Sequence, residues 1–291
     1  MKYEFIAAHE QDYCITTQCR FLGVSRSGYY HWKQVKPVTL NIWQTTLDRR
    51  VKDCFHEFKE RYGAVRIHRE LRDTHGWSYN LKTIEKSLQR QGLVAKAAKK
   101  FKATTNSKHS RPVADNLLEQ NFEASRPNEK WCQDITYLWT TEGWLYLAVV
   151  IDLFSRQVVG WSMSGRMTAS LVCDALQMAL FRRKLPKGVI VHSDRGSQYC
   201  SKDFQRLLTA NKLLCSMSAK GNCYDNACAE SFFHSLKVEA IHGEIFTTRE
   251  GMRQTVFEYI ETFYNTKRRH SHNDYVAPRQ FEQNFYRKLA S

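Results

Sequence analysis

The sequence predicts an α/β fold, a mixed five-stranded sheet flanked by helices and preceded by small helical domains. Three observations carry that expectation. After Pro127 short runs rich in β-formers alternate with helix-period segments in the order βββαβαβα. Before it lie two amphipathic helix pairs, each broken at a glycine, Gly23 and Gly76. Between the second pair and the sheet runs a basic stretch rich in Ser, Thr and Asn. The chain divides into a helix-turn-helix-like segment (1–36), a second one (43–96), a basic linker (97–126), a sheet-bearing core (127–245) and a C-terminal helical extension (246–291).

In the first pair, ITTQCRFLGVSRSGYYHW, Ile15, Cys19 and Leu22 fall at helical spacing, Gly23 suits a left-handed turn and Ser25 an N-cap. The expected second helix exposes Arg26 and Tyr29. A helix over about Trp43–Glu60 follows. The second pair, within 62–96, has Val65, Ile67, His68 and Leu71 as an apolar stripe, then Gly76, then Asn80 as N-cap. Leu81, Ile84 and Leu88 face inward on the next helix, Lys82, Lys86 and Arg90 face out, and Gly92 ends it. Such hairpins are common, but helix-turn-helix geometry also places a helix in a DNA groove.

In the core, WCQDITYLWT (131–140), WLYLAVVIDLFSR (144–156) and QVVGWSMS (157–164) read as an antiparallel meander, with TEG (141–143) as the first turn. MTASLVCDALQMALFRRK (167–184) has helical period, VIVHSD (189–194) is a short apolar run suited to a buried parallel strand, and DFQRLLTANKL (203–213) and LCSMS (214–218) add a helix and a strand. The stretch AKGNCYDNACAESFFHSLKVE (219–239) reads as a small-residue loop feeding a helix, which Asp225 or Asn226 caps. This element order is that of a ribonuclease-H-like layer.

Composition points to a polyanionic partner. Lys and Arg number 44 against 29 Asp and Glu, a net charge of +15. Between Leu81 and Val113 nine basic residues face Glu85 alone, and the run overlaps the second hairpin, so phosphate contact is expected there. The apolar run Leu145–Ile151 is far short of the ~20 residues that span a bilayer. Nine cysteines without any C-x-x-C suit free thiols in a reducing compartment, and a cytoplasmic protein is expected, nucleoid-associated when bound.

Three acids are the candidates for the chemistry. Asp134 falls in the first strand, Asp194 at the end of the fourth, and Glu230 near the start of the helix after the loop. With strands one and four side by side the two aspartates become neighbours, and their repulsion is relieved by a cation. Phosphodiester transfer needs on the order of 20 kcal/mol of help, which two hard divalent ions about 4 Å apart can supply from carboxylate ligands. Arg195, Gln198 and Tyr199 follow Asp194 in a turn whose donors are expected to face the site. Lys237, two helical turns after Glu230, is placed to reach a phosphate. Asp152 suits turn capping or pairing with Arg156, Glu239 falls on the opposite side of the helix from Glu230, and His192 suits a structural role. The loop is expected to be mobile, with Glu230 withdrawn from the aspartates until a strand and metal arrive.

The stretches from WCQDITYLWT to QVVGWSMS, VIVHSDRGSQYCS and SMSAKGNCYDNACAESFFHSLKVE resemble the integrase-type (Asp-Asp-Glu) transposases of bacterial insertion sequences, in particular the second-reading-frame (OrfB) product of two-frame elements. The likeness extends over CRFLGVSRSGYYHW, the basic hairpin and the tail YIETFYNTKRRHS. It implies a ribonuclease-H-like core with a catalytic, metal-binding triad at Asp134, Asp194 and Glu230, and the family's basic position at Lys237. It also implies Mg²⁺, with Mn²⁺ as a substitute. The substrates it implies are terminal inverted repeats and target DNA, joined by attack of a freed 3′ hydroxyl without a covalent protein intermediate. A homo-oligomer, at least a dimer on DNA, is implied, with the first-reading-frame product as a candidate partner. The zinc-binding domain of retroviral integrases and a leucine-heptad segment have no counterpart here, which suits one part of a larger enzyme. Two other readings stand beside this one: a ribonuclease-H-like nuclease, and a non-catalytic DNA-binding regulator.

Overall fold

The structure is a computed structural model and describes residues 2–34, 42–96, 114–119, 121–218 and 226–290. The N-terminal unit is three helices, α1 (Lys2–Ala8), α2 (Ile15–Phe21) and α3 (Arg26–Gln34). Gly23 takes φ +62° between α2 and α3, and the Ser25 hydroxyl accepts from Gly28 N at 3.0 Å as the cap expected of it. Tyr29 is not exposed. It is buried with Ile6 and Cys19, and its hydroxyl donates to Glu10 Oε1 at 2.6 Å. The helix α1, which sequence spacing left unassigned, supplies Ile6 and so covers the face on which Tyr29 lies.

Next come α4 (Ile42–Glu57), α5 (Ala64–Asp73) and α6 (Leu81–Arg90). Asn80 Oδ1 accepts from Lys82 N at 2.9 Å and caps α6, while Gly76 and Gly92 take positive φ at the chain reversals. Ile67 and Leu71 from α5 meet Ile84 and Leu88 from α6 and Leu47, Val51 and Phe55 from α4. Val65, read as part of the apolar stripe, is instead exposed. Arg90 turns back to Asp48, 2.6 Å away.

Five strands form one sheet in the order β3-β2-β1-β4-β5. They are β1 (Lys130–Thr140), β2 (Gly143–Asp152), β3 (Val158–Ser164), β4 (Ile190–Ser193) and β5 (Leu214–Met217). The first three are antiparallel, while β4 pairs parallel with β1 and β5. One face is covered by α7 (Ala169–Arg182) and α8 (Lys202–Ala210), the other by α9 (Ala227–Leu236) and α10 (Arg249–Phe257), and the α4–α6 unit joins that second core through Phe58 and Tyr62, which pack on Phe263. The fit of α7 depends on Gly160 in β3: a Cβ there would stand 2.2 Å from the Ala175 carbonyl oxygen.

The linker expectation is corrected at its end. Residues 97–113 lie outside the described residues, but from Ala114 the chain runs along the sheet edge. Leu118 is buried in the core, Met217 N donates to Asp115 O at 3.2 Å, and Leu117 N donates to the Ser216 hydroxyl at 2.9 Å. Asn116 closes a turn by accepting from Leu118 N and Glu119 N.

The C-terminal extension binds these parts together. After α10 a π-helical stretch, Glu258–Tyr264, leads to a short turn and α11 (Pro278–Ala290). Arg269 bridges back to Glu70 and Asp73 on α5 at 2.7 and 2.8 Å. Arg268 pairs with Glu239 at 2.7 Å, both almost fully buried, and the Tyr259 hydroxyl donates to the same carboxylate at 2.8 Å. Glu282 on α11 is held by Arg183 and the Ser155 hydroxyl. No helix of the described residues is long and apolar enough to cross a membrane.

Candidate active site

The parallel pairing of β1 with β4 runs Lys130↔Ile190, Trp131↔Val191 and Cys132↔His192, then stops. Two residues further along each chain stands an aspartate, Asp134 and Asp194, so the register that zips the strands also sets these acids beside each other where the strands part. This is the crevice outside the carboxyl end of β4. Each aspartate is braced by backbone: Asp134 Oδ1 accepts from Ile135 N at 2.7 Å, and Asp194 Oδ1 from Gly196 N at 2.9 Å. Beneath them His192 lies buried between the Ser216 and Ser218 hydroxyls, 2.9 and 3.3 Å away, in the structural role its isolation suggested.

Helix α9 brings the third acid. Ala229, Phe232, Phe233 and Leu236 are buried against Cys132, Leu138 and Leu147 of the sheet, which leaves Glu230 on the outward side of the first turn. Asn226 occupies the N-cap position but does not cap the helix. Its Oδ1 instead accepts from Cys132 Sγ at 2.7 Å, tying the start of α9 to β1 two residues before Asp134. A second tether joins Cys228 to Arg156. Neither link was visible in the sequence, because both bring together groups more than 70 residues apart.

The electrostatics show how crowded the acids are. Burial, followed by the charge of Asp194, pushes the Asp134 carboxyl well above the usual carboxylate range; Glu230 adds to this, while Ile135 N–H and Lys237 oppose it. Partial desolvation also raises Glu230. The donor set suits a hard divalent cation: carboxylate oxygens at adjoining strand ends, with a mutual repulsion that such a cation removes. As placed, no three His, Cys, Asp or Glu side chains among the described residues are close enough to hold one ion together. The loop residues 219–225, on which the expectation of mobility rests, lie outside the described residues.

The other expected contacts divide. Lys237, where α9 widens into a π-helical turn (Lys237–Ile241), is half-buried with Nζ 5.2 Å from the centre of the Tyr137 ring. Burial lowers its pKa and Asp134 opposes that shift. Arg195 Nε donates to Ser218 O at 2.6 Å, and Gln198 Nε2 to Met167 O at 3.3 Å, so both are engaged in holding the turn. Tyr199 is corrected: it is 1% exposed, inside the α7–α8 side of the core, and no strand of DNA can reach it there. Lys82 and Lys86 are exposed on α6 and Arg26 on α3. Asp152 is buried and caps the β2–β3 turn by accepting from Phe154 N at 3.0 Å; its cationic neighbour is Arg183, 3.9 Å away, not Arg156. Glu239 is committed to Arg268.

Family models described as "Integrase core domain" match residues 124–223 and 230–285, and one described as "HTH-like domain" matches 43–101. The transposase InsF for insertion sequence IS3 of Escherichia coli O111:H- is 58% identical over 284 residues, covering 97% of this chain and 98% of the relative. An uncharacterized 31 kDa protein of insertion element IS600 from Shigella sonnei is 41% identical, covering 94% and 100%. Among solved structures, a simian T-cell lymphotropic virus intasome chain aligns with TM-score 0.45 at 18% identity, covering 80% of this chain and 74% of its own. The HTLV-2 integrase catalytic core in complex with magnesium aligns with TM-score 0.42 at 17% identity, covering 55% and 99%. With an HTH-like domain, an integrase core and identity sustained across nearly its whole length, the chain belongs to the family of IS3 insertion-sequence transposases.

Proposed function

We propose that this transposase binds the terminal inverted repeats of its insertion sequence and catalyses 3′-end cleavage and strand transfer by direct transesterification, with Asp134, Asp194 and Glu230 as the catalytic acids. The observation that carries this reading is the placement of Asp134 and Asp194 at the parting ends of β1 and β4, with the Glu230 helix tethered to β1 beside them. In transfer, the freed 3′ oxygen bonds to a target phosphorus, the bond from that phosphorus to its own 3′ oxygen breaks, and the proton of the attacking hydroxyl is balanced by one taken up on the leaving oxygen. Bound divalent ions, Mg²⁺ or Mn²⁺ and two in number, would lower this barrier by activating the attacking oxygen and stabilising the leaving one. Asp134, Asp194 and Glu230 would hold them.

The chain's own groups do the rest. Ile135 N–H and Gly196 N–H orient the two aspartates. Lys237 places a cation beside Asp134, where a scissile phosphate would lie. Lys82 and Lys86 on α6 and Arg26 on α3 would contact the end DNA, and Arg195 and Gln198 would shape the turn that borders it. A complex holding two DNA ends would be at least a dimer, and the first-reading-frame product is a partner to test. The experiment is strand cleavage and joining on an end-sequence oligonucleotide with Asp194→Asn and Glu230→Gln. Both variants are expected to lose the reaction and keep DNA binding, and retained cleavage in either one refutes the assignment.

A further inference from the structure

The outer end of the β1–β2 hairpin carries an exposed cluster of aromatic rings. Tyr137, Trp139 and Trp144 are 40%, 60% and 42% exposed. The strand register pairs Trp139 with Trp144 and Tyr137 with Tyr146, so these rings share one face of the sheet. They also touch: the Trp144 ring stands nearly perpendicular to both others, its centre 5.1 Å from that of Tyr137 and 4.8 Å from that of Trp139. On the same face Ile135 and Tyr146 pack into the α7–α8 core, which leaves the outer rings open. Single exposed apolar side chains are ordinary, but a contiguous aromatic cluster marks a surface that something covers.

Cations frame the cluster. Lys237 Nζ stands 5.2 Å from the centre of the Tyr137 ring, and the same ammonium feels the charge of Asp134. Arg249 Nε donates to Trp144 O at 3.1 Å and so holds a guanidinium at the hairpin. Glu142, the acid of the hairpin turn, accepts from Arg249 N at 2.8 Å. Asp134 and Tyr137 lie about 10 Å apart along β1 and point to opposite faces. The edge of β1 between them is open on the side away from β2, since pairing with β4 ends at Cys132. Lys237 comes from the α9 side and meets the Tyr137 ring over that edge. A second copy of the same patch would bring like cations together. A nucleic-acid strand instead offers phosphates to the cations and flat bases to the rings.

We propose that Tyr137, Trp139 and Trp144 form a stacking platform for unpaired DNA bases next to the phosphodiester held at the acids. The strand would pass from Asp134 over the open edge of β1, with a phosphate on Lys237 and the following bases on the rings. Stacking accepts any of the four bases, so the platform would hold a splayed strand without reading its sequence. This rests on the DNA-transferase reading above and adds the state of the substrate, an opened duplex rather than an intact one.

The test is equilibrium binding of the full chain, without metal, to two duplexes of the same end sequence, one fully paired and one with its terminal bases unpaired. The wild type is expected to prefer the unpaired end about 10-fold. Trp139→Ala is expected to abolish that preference and Trp139→Phe to retain it. Both duplexes are measured on each variant, so a folding defect would weaken both and leave their ratio alone. Equal affinities in the wild type, or a preference that survives Trp139→Ala, overturn the proposal. A wild-type dimer that Trp139→Ala dissociates, with the preference unchanged, overturns it in favour of a contact between copies. A wild type that binds neither duplex would instead overturn the DNA reading beneath it.

Discussion

Single residues in this protein are set by a few strong local conflicts. Asp134 is the clearest, a carboxyl that burial and two neighbouring acids drive toward protonation while one lysine opposes them. Lys237→Ala should therefore weaken strand joining and flatten its dependence on salt; an unchanged slope in a salt series would show that the ammonium meets no phosphate. His270 offers a test of stability rather than chemistry. Burial and the cations of Arg268 and Arg156 push its pKa down to about 3, from 6.5, and its Nδ1 accepts from His272 N at 3.2 Å. The unfolded chain binds that proton and the folded one does not. Stability is thus full above pH 6.5 and falls as pH drops, by about 2 kcal/mol at pH 5. Denaturant titrations at pH 7 and pH 5 should show this loss, and His270→Asn should shrink it. The neighbouring placement of Asp134 and Asp194 was legible in the sequence because strand pattern and element order fix where a strand-end residue falls. Tyr29 and Tyr199 were not. Each sits in a polar, turn-rich stretch that reads as surface, and what buries each comes from elsewhere: Ile6 and Glu10 for Tyr29, and the Phe204 side of the core for Tyr199.

At the scale of elements, two helices do the placing. Helix α9 presents Glu230 because four apolar residues anchor its other face and Asn226 ties its start to Cys132. Sequence spacing gave the helix but not the tether, since a capping residue was expected to bond its own helix. Helix α6 presents Lys82 and Lys86 outward while Ile84 and Leu88 bury. If these lysines meet phosphates, Lys82→Ala and Lys86→Ala should each weaken end binding and reduce the salt slope by about 0.9. Gel-shift titrations between low and moderate salt measure this; binding untouched in both would leave α6 a structural helix.

Across the whole molecule, the C-terminal extension is the binding strap. Arg269 reaches the HTH-like helical unit and Arg268 reaches Glu239 just past α9, so one short segment couples that unit to the acid-bearing side. Periodicity cannot show such a link, because its partners are dispersed from Glu70 to Glu239. Arg268→Ala would leave Glu239 buried with its main counter-charge removed, at a loss of about 3–5 kcal/mol in denaturant unfolding. A change below about 1 kcal/mol would mean that Arg66 and the Tyr259 hydroxyl suffice alone. The net charge of +15 suits a polyanionic partner. The proposed metal-dependent transferase centre of Asp134, Asp194 and Glu230 fixes the outcome of incubating the wild-type chain with labelled element ends and target DNA, with Mg²⁺ and with chelator. Joined products with Mg²⁺ and none with chelator are the predicted result. Joining that persists in chelator, or in a variant with all three acids replaced, would contradict it.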